Sequence, residues 1–465
     1  MKKLKRKLKN TEIRVPSRVV ELINQSDYKR KDELFVIIDL IYRRQSTFKT
    51  KAYSHYLYIN ISQEFLSKFI PKNNIKSGLI HLMSRNILDV NTSYNPGSFP
   101  KSYRINKSLL DNPIKVTITS SIINKKYNVY RESLRVGKVK NNEKTKTKYL
   151  KEFNIDYTAA IEATYQEVSN NISDLAISKG VYLSNSNIIS FLKGEGSSEV
   201  LTIIKEVLIK ESGFFSELNR LNIHQHLVEN INNNFLYFKR NASNGRLDSN
   251  LSTLPGYLRK FVKTDKELFH IDVCNSQPYF LYCTLKNDIS VSNEDLEKYG
   301  ELVTEGKIYD FYAAKWNSTA KVIIDRKTAK DHFFKILFSK VTSYSKYKDV
   351  FRAEFPTIME WVDRKNSVHN NTVANEMTLK ESFTILDVIK PKLSKLKIEP
   401  YTIHDSFLCN EDEVDTIISV INDTLDEMYG SIPKLHIDNL LELTTDDVEE
   451  FDVEDNYDYG DIELF

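Results

Sequence analysis

Three short stretches hold the side chains best suited to chemistry. In "LFHIDVCNSQPYFLYCTL", Leu268 to Val273 alternate along a strand, so His270 and Asp272 share one face and Phe269, Ile271 and Val273 the other. Asn275 or Ser276 can then cap a helix that has Pro278 in its first turn. A carboxylate at such a strand end needs a partner; a divalent cation is one candidate, and the amides of the next helix are another. In "IIDRKTAKDHFFKILFSKVTSY", Arg326, Lys330, Phe334 and Phe338 recur every four residues, which a helix gathers into one stripe. Arg326 to Phe334 spans about 12 Å at 1.5 Å per residue, close to the length of a nucleoside triphosphate. The two cations can hold phosphates and Phe334 can offer a flat surface to base or sugar, although an ordinary amphipathic helix has the same pattern. In "YTIHDSFLC", His404, Asp405 and Ser406 fall at the tip of a hairpin. Contiguous residues do not suit a Ser-His-Asp relay, and a turn exposing Asp405 as a second cation ligand is geometrically simpler.

Taken in order, these are the parts needed to add a nucleotide to a growing chain. Two metal ions roughly 3.5 to 4 Å apart, shared by two aspartates, would activate a 3′ oxygen and neutralise a leaving pyrophosphate. The basic helix would hold the triphosphate in line for attack.

The elements that must position these residues can be read coarsely. Residues 1–28 read as a basic tail. Residues 29–125 contain three helix candidates, "KRKDELFVIIDLIYRRQ", "SQEFLSKFI" with Ser62 as cap, and "NNIKSGLIHLMSR", then two strand-like runs around Asn95, Pro96 and Gly97. That is a winged-helix outline, in which the third helix could enter a duplex groove and Lys101 and Arg104 could touch phosphates. Such outlines also serve as protein contacts or scaffolding. "GKVKNNEKTKTKYLK" reads as a solvated linker or a phosphate-tracking loop within a helical region, 126–235. Mixed strand and helix signals from 236 to 440 indicate an α+β domain.

A chain of 465 residues exceeds one core, since cores stop growing at roughly 250 to 300 residues. The formal net charge is only +3, yet residues 441–465 hold eleven carboxylates and no Lys or Arg, so the remaining 440 residues carry +14. A body that basic suits a polyanionic partner; a solvated basic surface gives the same count. The acidic tail lacks helical periodicity and is expected to be disordered. The stretch "LFVIIDLIY" is too short to span a bilayer, and the basic N-terminus is not followed by an apolar signal core, so no membrane partner and a cytoplasmic location are expected. Cys274, Cys283 and Cys409 lack metal-ligand spacing and read as reduced thiols.

The three stretches resemble motifs A, B and C of the family A DNA polymerases and of their relatives, the single-subunit phage-type RNA polymerases. "HIDVCNSQP" is similar to motif A, with Asp272 as first metal ligand and Val273 offering its carbonyl. "RKTAKDHFFKILFS" is similar to motif B, with Arg326 and Lys330 at the triphosphate and Phe334 beside sugar and base. "IHDSF" is similar to motif C, with His404 near the primer terminus and Asp405 as second metal ligand. A fourth island, "NGRLDSNLSTLP", would bring Arg246 to the primer-template duplex. The islands cover about 40% of the chain, from Asn241 to Val420.

The resemblance implies a right-hand fold. The thumb would lie in 126–235, the palm in 236–290 and 385–440, and the fingers in 291–384. It also implies two Mg²⁺ ions, for which Mn²⁺ could substitute, and DNA primer-template and dNTPs as partners. An RNA polymerase or primase-like synthetase, with an RNA template or NTPs, stays open as the alternative, because Ser406 replaces the motif C glutamate as in the phage-type RNA polymerases. Phe338 stands where tyrosine is usual, and Ser339 where glycine is. Gln277 stands at the DNA polymerase glutamate that blocks a 2′-hydroxyl, and is expected to exclude ribonucleotides. No proofreading exonuclease is evident, and the architecture suits a small polymerase of a plasmid, phage or other mobile element. A replication initiator or regulator with a non-catalytic polymerase-like half is the alternative of another class.

Overall fold

Ile13 and Val15 alternate with Glu12 and Arg14, and both apolar side chains are buried. They form strand β1 (Glu12–Pro16), which pairs antiparallel with Pro113–Thr117. Helix α1 (Ser17–Asn24) follows and buries Val19, Val20 and Ile23. Residues 12–24 are therefore core elements and not part of a basic tail; the lysines of residues 2–9 mask a short apolar alternation. The computed structural model describes residues 10–47, 58–91, 101–110, 113–133, 142–320, 322–369 and 371–442. Most of the acidic tail and the Asn95–Gly97 turn lie outside these residues.

The chain forms two units. The first holds the described residues before 137 and those of 155–235; the second holds 137–154 and those after 235. In the first, α2 (Lys31–Thr47), β2 (Ile59–Asn60), α3 (Gln63–Ser67), α4 (Lys72–Ser84), β3 (Leu88–Asn91) and β4 (Ser102–Ile105) follow one another, and the sheet order is β2-β4-β3. Ser62 caps α3 by accepting from the Phe65 N–H at 3.0 Å. Gly78 lets α4 approach α2 closely, since a Cβ there would lie 3.0 Å from Ile37 Cδ1.

β5 (Pro113–Thr117) and α5 (Ser121–Ser133) lead to α6 (Glu143–Glu152), which belongs to the second unit. The first unit resumes with α7 (Tyr157–Ser178), α8 (Asn185–Leu192), α9 (Ser198–Glu206) and α10 (Ser212–Asn232). One face of α10 buries polar groups, so each needs a partner. Glu229 takes Arg14 and Lys115, both at 2.9 Å. His226 meets Arg43, which pairs with the fully buried Asp39 at 2.7 Å. Burial holds the pKa values of His224 and His226 well below the usual histidine value.

In the second unit, α6 is a docked helix where a linker or loop was expected. Thr145, Tyr149 and Phe153 recur every four residues and face inward, a pattern hidden by six lysines in residues 137–151. Tyr149 stacks on Phe153 at 4.4 Å and meets Tyr401 edge-on at 5.8 Å. β6 (Phe238–Arg240), β7 (Leu247–Ser249), α11 (Asn250–Thr253) and α12 (Gly256–Arg259) come next. β8 (Leu268–Val273) runs into α13 (Ser276–Leu285), α14 (Asn293–Thr304), α15 (Ile308–Thr319) and α16 (Arg326–Phe338). α17 (Ser345–Glu354), α18 (Pro356–Asn366), α19 (Thr372–Phe383), a π-helical turn (Thr384–Ile389) and α20 (Lys390–Lys395) return the chain to β9 (Tyr401–Ile403) and β10 (Ser406–Asn410). α21 (Val414–Tyr429) buries Ile417, Ile421 and Leu425, and β11 (Leu435–Asn439) is the last strand among the described residues.

The central sheet is antiparallel in the order β11-β8-β10-β9. Together with the helices it makes a mixed, helix-rich α+β architecture. No helix among the described residues is long and apolar enough to cross a membrane. The three cysteines are free, and burial pushes the thiols of Cys283 and Cys409 up to about 11 and about 12.

Candidate functional site

Strand register brings the two aspartates together. Phe407 pairs with Ile271 and Leu408 with His270, so the same register continued puts Ser406 opposite Asp272 and Asp405 opposite Val273. Between β9 and β10 the chain turns on His404 and Asp405, as the hairpin reading expects. His404 has φ +55°, the left-handed region that tight hairpin turns use at their first central residue. On the other side of β8, His436 is the direct partner of Asp272.

Ser406 secures this corner. Its hydroxyl donates to the Ile403 carbonyl at 2.8 Å, which leaves it to accept from His270 Nε2 at 2.8 Å. His270 is 3% exposed, and burial, Arg259 and His436 push its pKa down to about 3, so the ring is neutral at pH 7. Unfolding exposes a histidine of pKa near 6.5, so the unfolded chain binds more protons between about pH 3 and 6.5. Stability is therefore full above about 6.5 and falls as the pH drops through that window. The loss is up to about 1.4 kcal/mol per pH unit for each such histidine, and His224 and His226 add to it in the same direction. Urea midpoints between pH 7.5 and 5 should fall, and should fall less in His270→Gln.

Helix α16 supplies the cations. Asp325 caps it by accepting from the Thr328 N–H at 2.8 Å, and Ala329, Phe333, Ile336 and Leu337 are its buried side. Asn366 Nδ2 holds the far end through the Leu337 carbonyl at 2.7 Å. The side flanking the buried one carries the expected stripe. Arg326 lies over the Tyr309 ring at 5.5 Å and pairs with Asp310 at 3.3 Å. Phe334 and Phe338 are half-buried and pack on each other at 5.4 Å.

One cavity of about 320 Å³ gathers these parts. Asp272, Val273, His404, Asp405, Arg326 and Lys330 all line it, as do His270 and Ser406. Six of the ten residues singled out in the sequence therefore share one wall or another of a single space.

Comparison with protein-family models gives no match, and comparison with curated proteins gives none. Among solved structures, the chain is similar to one described as the POL domain of Pol1 from M. smegmatis in complex with DNA primer-template and dNTP. The identity is 12%, the match covers 68% of this chain and 72% of that chain, and the TM-score is 0.40. The functional reading rests on the cavity.

Four expected residues lie elsewhere. Phe334 and Phe338 continue the α16 stripe beyond the cavity lining. Gln277 and Arg246 are 2% and 3% exposed and converge on Glu381 of α19, itself fully buried. Arg246 pairs with Glu381 at 2.8 Å, Ser276 donates to it at 3.0 Å, and the Gln277 amide donates to it as well. Arg246 was expected at a duplex surface and is instead a core ion pair. The signal missed was Glu381, which lies 135 residues further on and in no motif.

Sequence reasoning also passed over Arg259, Lys307, Tyr309, Lys434 and His436, which line the cavity. For β11 a signal existed: Lys434, His436 and Asp438 alternate with Leu435 and Ile437.

Proposed function

We propose that this chain is a template-directed nucleic acid polymerase, most simply a DNA polymerase without proofreading. What carries the reading is the cavity that unites Asp272, Asp405, Arg326 and Lys330. Two carboxylates and two cations line it together, the side-chain types that addition of a nucleotide to a 3′ end uses.

The donor set fits Mg²⁺. Among the described residues no group of three or more His, Cys, Asp or Glu side chains is placed to hold a metal ion by itself. Two carboxylates and a backbone carbonyl are the kind of sparse oxygen set that holds Mg²⁺ together with water and substrate phosphates. Asp272, Asp405 and the Val273 carbonyl would hold the ions, which when bound supply an activated 3′ oxygen and charge neutralisation at the leaving pyrophosphate.

The protein's own groups do the rest. Arg326 and Lys330 bind the triphosphate. Phe334 supports sugar and base, and His404 stands beside the primer end. Gln277, held by Glu381 outside the cavity lining, would disfavour ribonucleotides only through its hold on the start of α13 and not by touching the sugar. In the first unit, the helix, strand, two helices and hairpin follow a winged-helix order, and α4 with Lys101 and Arg104 is suited to a duplex. From Phe65 to Leu88 there is no acidic residue, while Lys68, Lys72, Lys76 and Arg85 are present.

Arg326→Ala and Lys330→Ala should each raise KM for the incoming nucleotide by about 10- to 100-fold, the worth of one charge-assisted phosphate contact. Steady-state single-nucleotide kinetics would show it, and an unchanged KM would remove α16 from the phosphate site. Synthesis of RNA is the second reading, favoured by Ser406. Incubation with Mg²⁺, primed and unprimed DNA and RNA templates, and dNTPs or NTPs decides between them. Extension of primed DNA with dNTPs supports the first, unprimed RNA synthesis the second, and no product on any template defeats both.

A further inference from the structure

The cavity has a second basic wall, to which the quoted motifs contribute only Asn275. Gly306, Lys307, Asn275 and Lys434 line it together. They meet around Gly306, where a Cβ would lie 3.7 Å from Lys434 Cδ and 3.9 Å from Asn275 Nδ2. Gly306 has φ +76° and ends the turn before α15.

Asn275 is the most telling residue. It stands at the N-cap position of α13 in the left-handed region, φ 54°, yet its side chain caps nothing. It is 8% exposed, and both its amide oxygen and nitrogen lack a hydrogen-bond partner. A buried amide left so is destabilising, and a left-handed asparagine adds to the cost, which is the signature of a group kept for a ligand.

Two further donors face the same place. α15 is twelve residues long, no side chain caps it, and its first turn reaches the cavity through Lys307, Tyr309 and Asp310. Its leading N–H groups and the helix dipole favour an anion there. Lys434 is fixed by its backbone: its N–H donates to the Thr304 carbonyl at 2.7 Å, and its carbonyl accepts from the Cys274 N–H at 3.0 Å. Among the described residues its ammonium has no carboxylate partner. The acids nearby are already matched, Glu305 by Lys307 at 2.6 Å and Asp310 by Arg326 at 3.3 Å.

We infer that Lys434, Asn275 and the uncapped start of α15 form a second phosphate seat, which takes the terminal phosphate of the triphosphate and retains the pyrophosphate released. The inference rests on the proposed polymerase function. It differs from the Arg326 and Lys330 contact in coming from β11 and the β8-α13 corner. The donors are an ammonium, an amide N–H₂ and backbone N–H groups, the mixture that suits a phosphate with several bare oxygens.

Calorimetric titration of the full chain with inorganic pyrophosphate in Mg²⁺ tests it. Lys434→Ala and Asn275→Ala should weaken binding about 10- to 100-fold and about 5- to 10-fold, with Lys434→Arg restoring most of the loss. Denaturant midpoints of the Lys434 variants should match the wild type, since among the described residues that side chain makes no hydrogen bond or ion pair. The idea is overturned if the wild type binds no pyrophosphate, or if only Arg326→Ala weakens binding. Template-directed incorporation is measured beside it. If incorporation is absent while binding depends on Lys434, the polymerase reading fails and the seat stands. If incorporation occurs while the Lys434 variants bind as the wild type, the seat fails and the polymerase reading stands.

Discussion

Asp272→Asn and Asp405→Asn should each lower nucleotide incorporation by on the order of 10³-fold or more, while duplex binding changes little. The substitution keeps the shape of each side chain, so the corner built by β8, β10 and the His404-Asp405 turn should stay in place. What is lost is negative charge where cations would gather, and electrostatic groups of this kind are worth about 10² to 10³-fold each in the rate. The two losses should not add, because both carboxylates serve one metal pair. Primer extension against gel-shift affinity, run on both single variants and the double variant, checks this. A variant extending at near the wild-type rate would remove that aspartate from the chemistry.

Glu381→Ala should have the largest effect on stability. Glu381 is fully buried and satisfies Arg246, Ser276 and Gln277 at once. Removing it takes away the carboxylate that pairs with the Arg246 guanidinium, 3% exposed, at 2.8 Å, and breaking a buried pair from one side costs about 3–5 kcal/mol. Glu381→Gln keeps hydrogen-bond acceptance and should cost less. Replacing both partners, Arg246→Met with Glu381→Leu, should recover much of the loss. Urea unfolding of the three variants gives the answer; equal midpoints for Glu381→Ala and the wild type would mean that Arg246 finds another partner at no cost.

How far the sequence reached can be seen in particular residues. Asp272 was legible because it sits on a short alternating run, where strand period 2 fixes which face a side chain takes, and Asp405 because it falls at the tip between two strand-forming runs. The stripe of Arg326, Lys330, Phe334 and Phe338 was legible because period 3.6 needs only one helix. Glu381 was not, since its importance comes from three partners that the chain brings from Arg246 and from Ser276 and Gln277, more than a hundred residues away. α6 and β1 were misread for a simpler reason: lysines crowd both neighbourhoods and hide apolar spacings of two and four. That Lys434 and Asn275 share one wall was not legible, because the pairing of β11 with β8 is a long-range fact.

The account stands or falls on templated addition to a 3′ end. A primed DNA template in four versions, differing only in the first unpaired base, should be mixed with Mg²⁺, the protein and one dNTP at a time. The expected result is a one-nucleotide extension whose identity follows the template base in all four versions and disappears in Asp405→Asn. Extension that ignores the template base, or no extension under any pairing with DNA or RNA substrates, would contradict it.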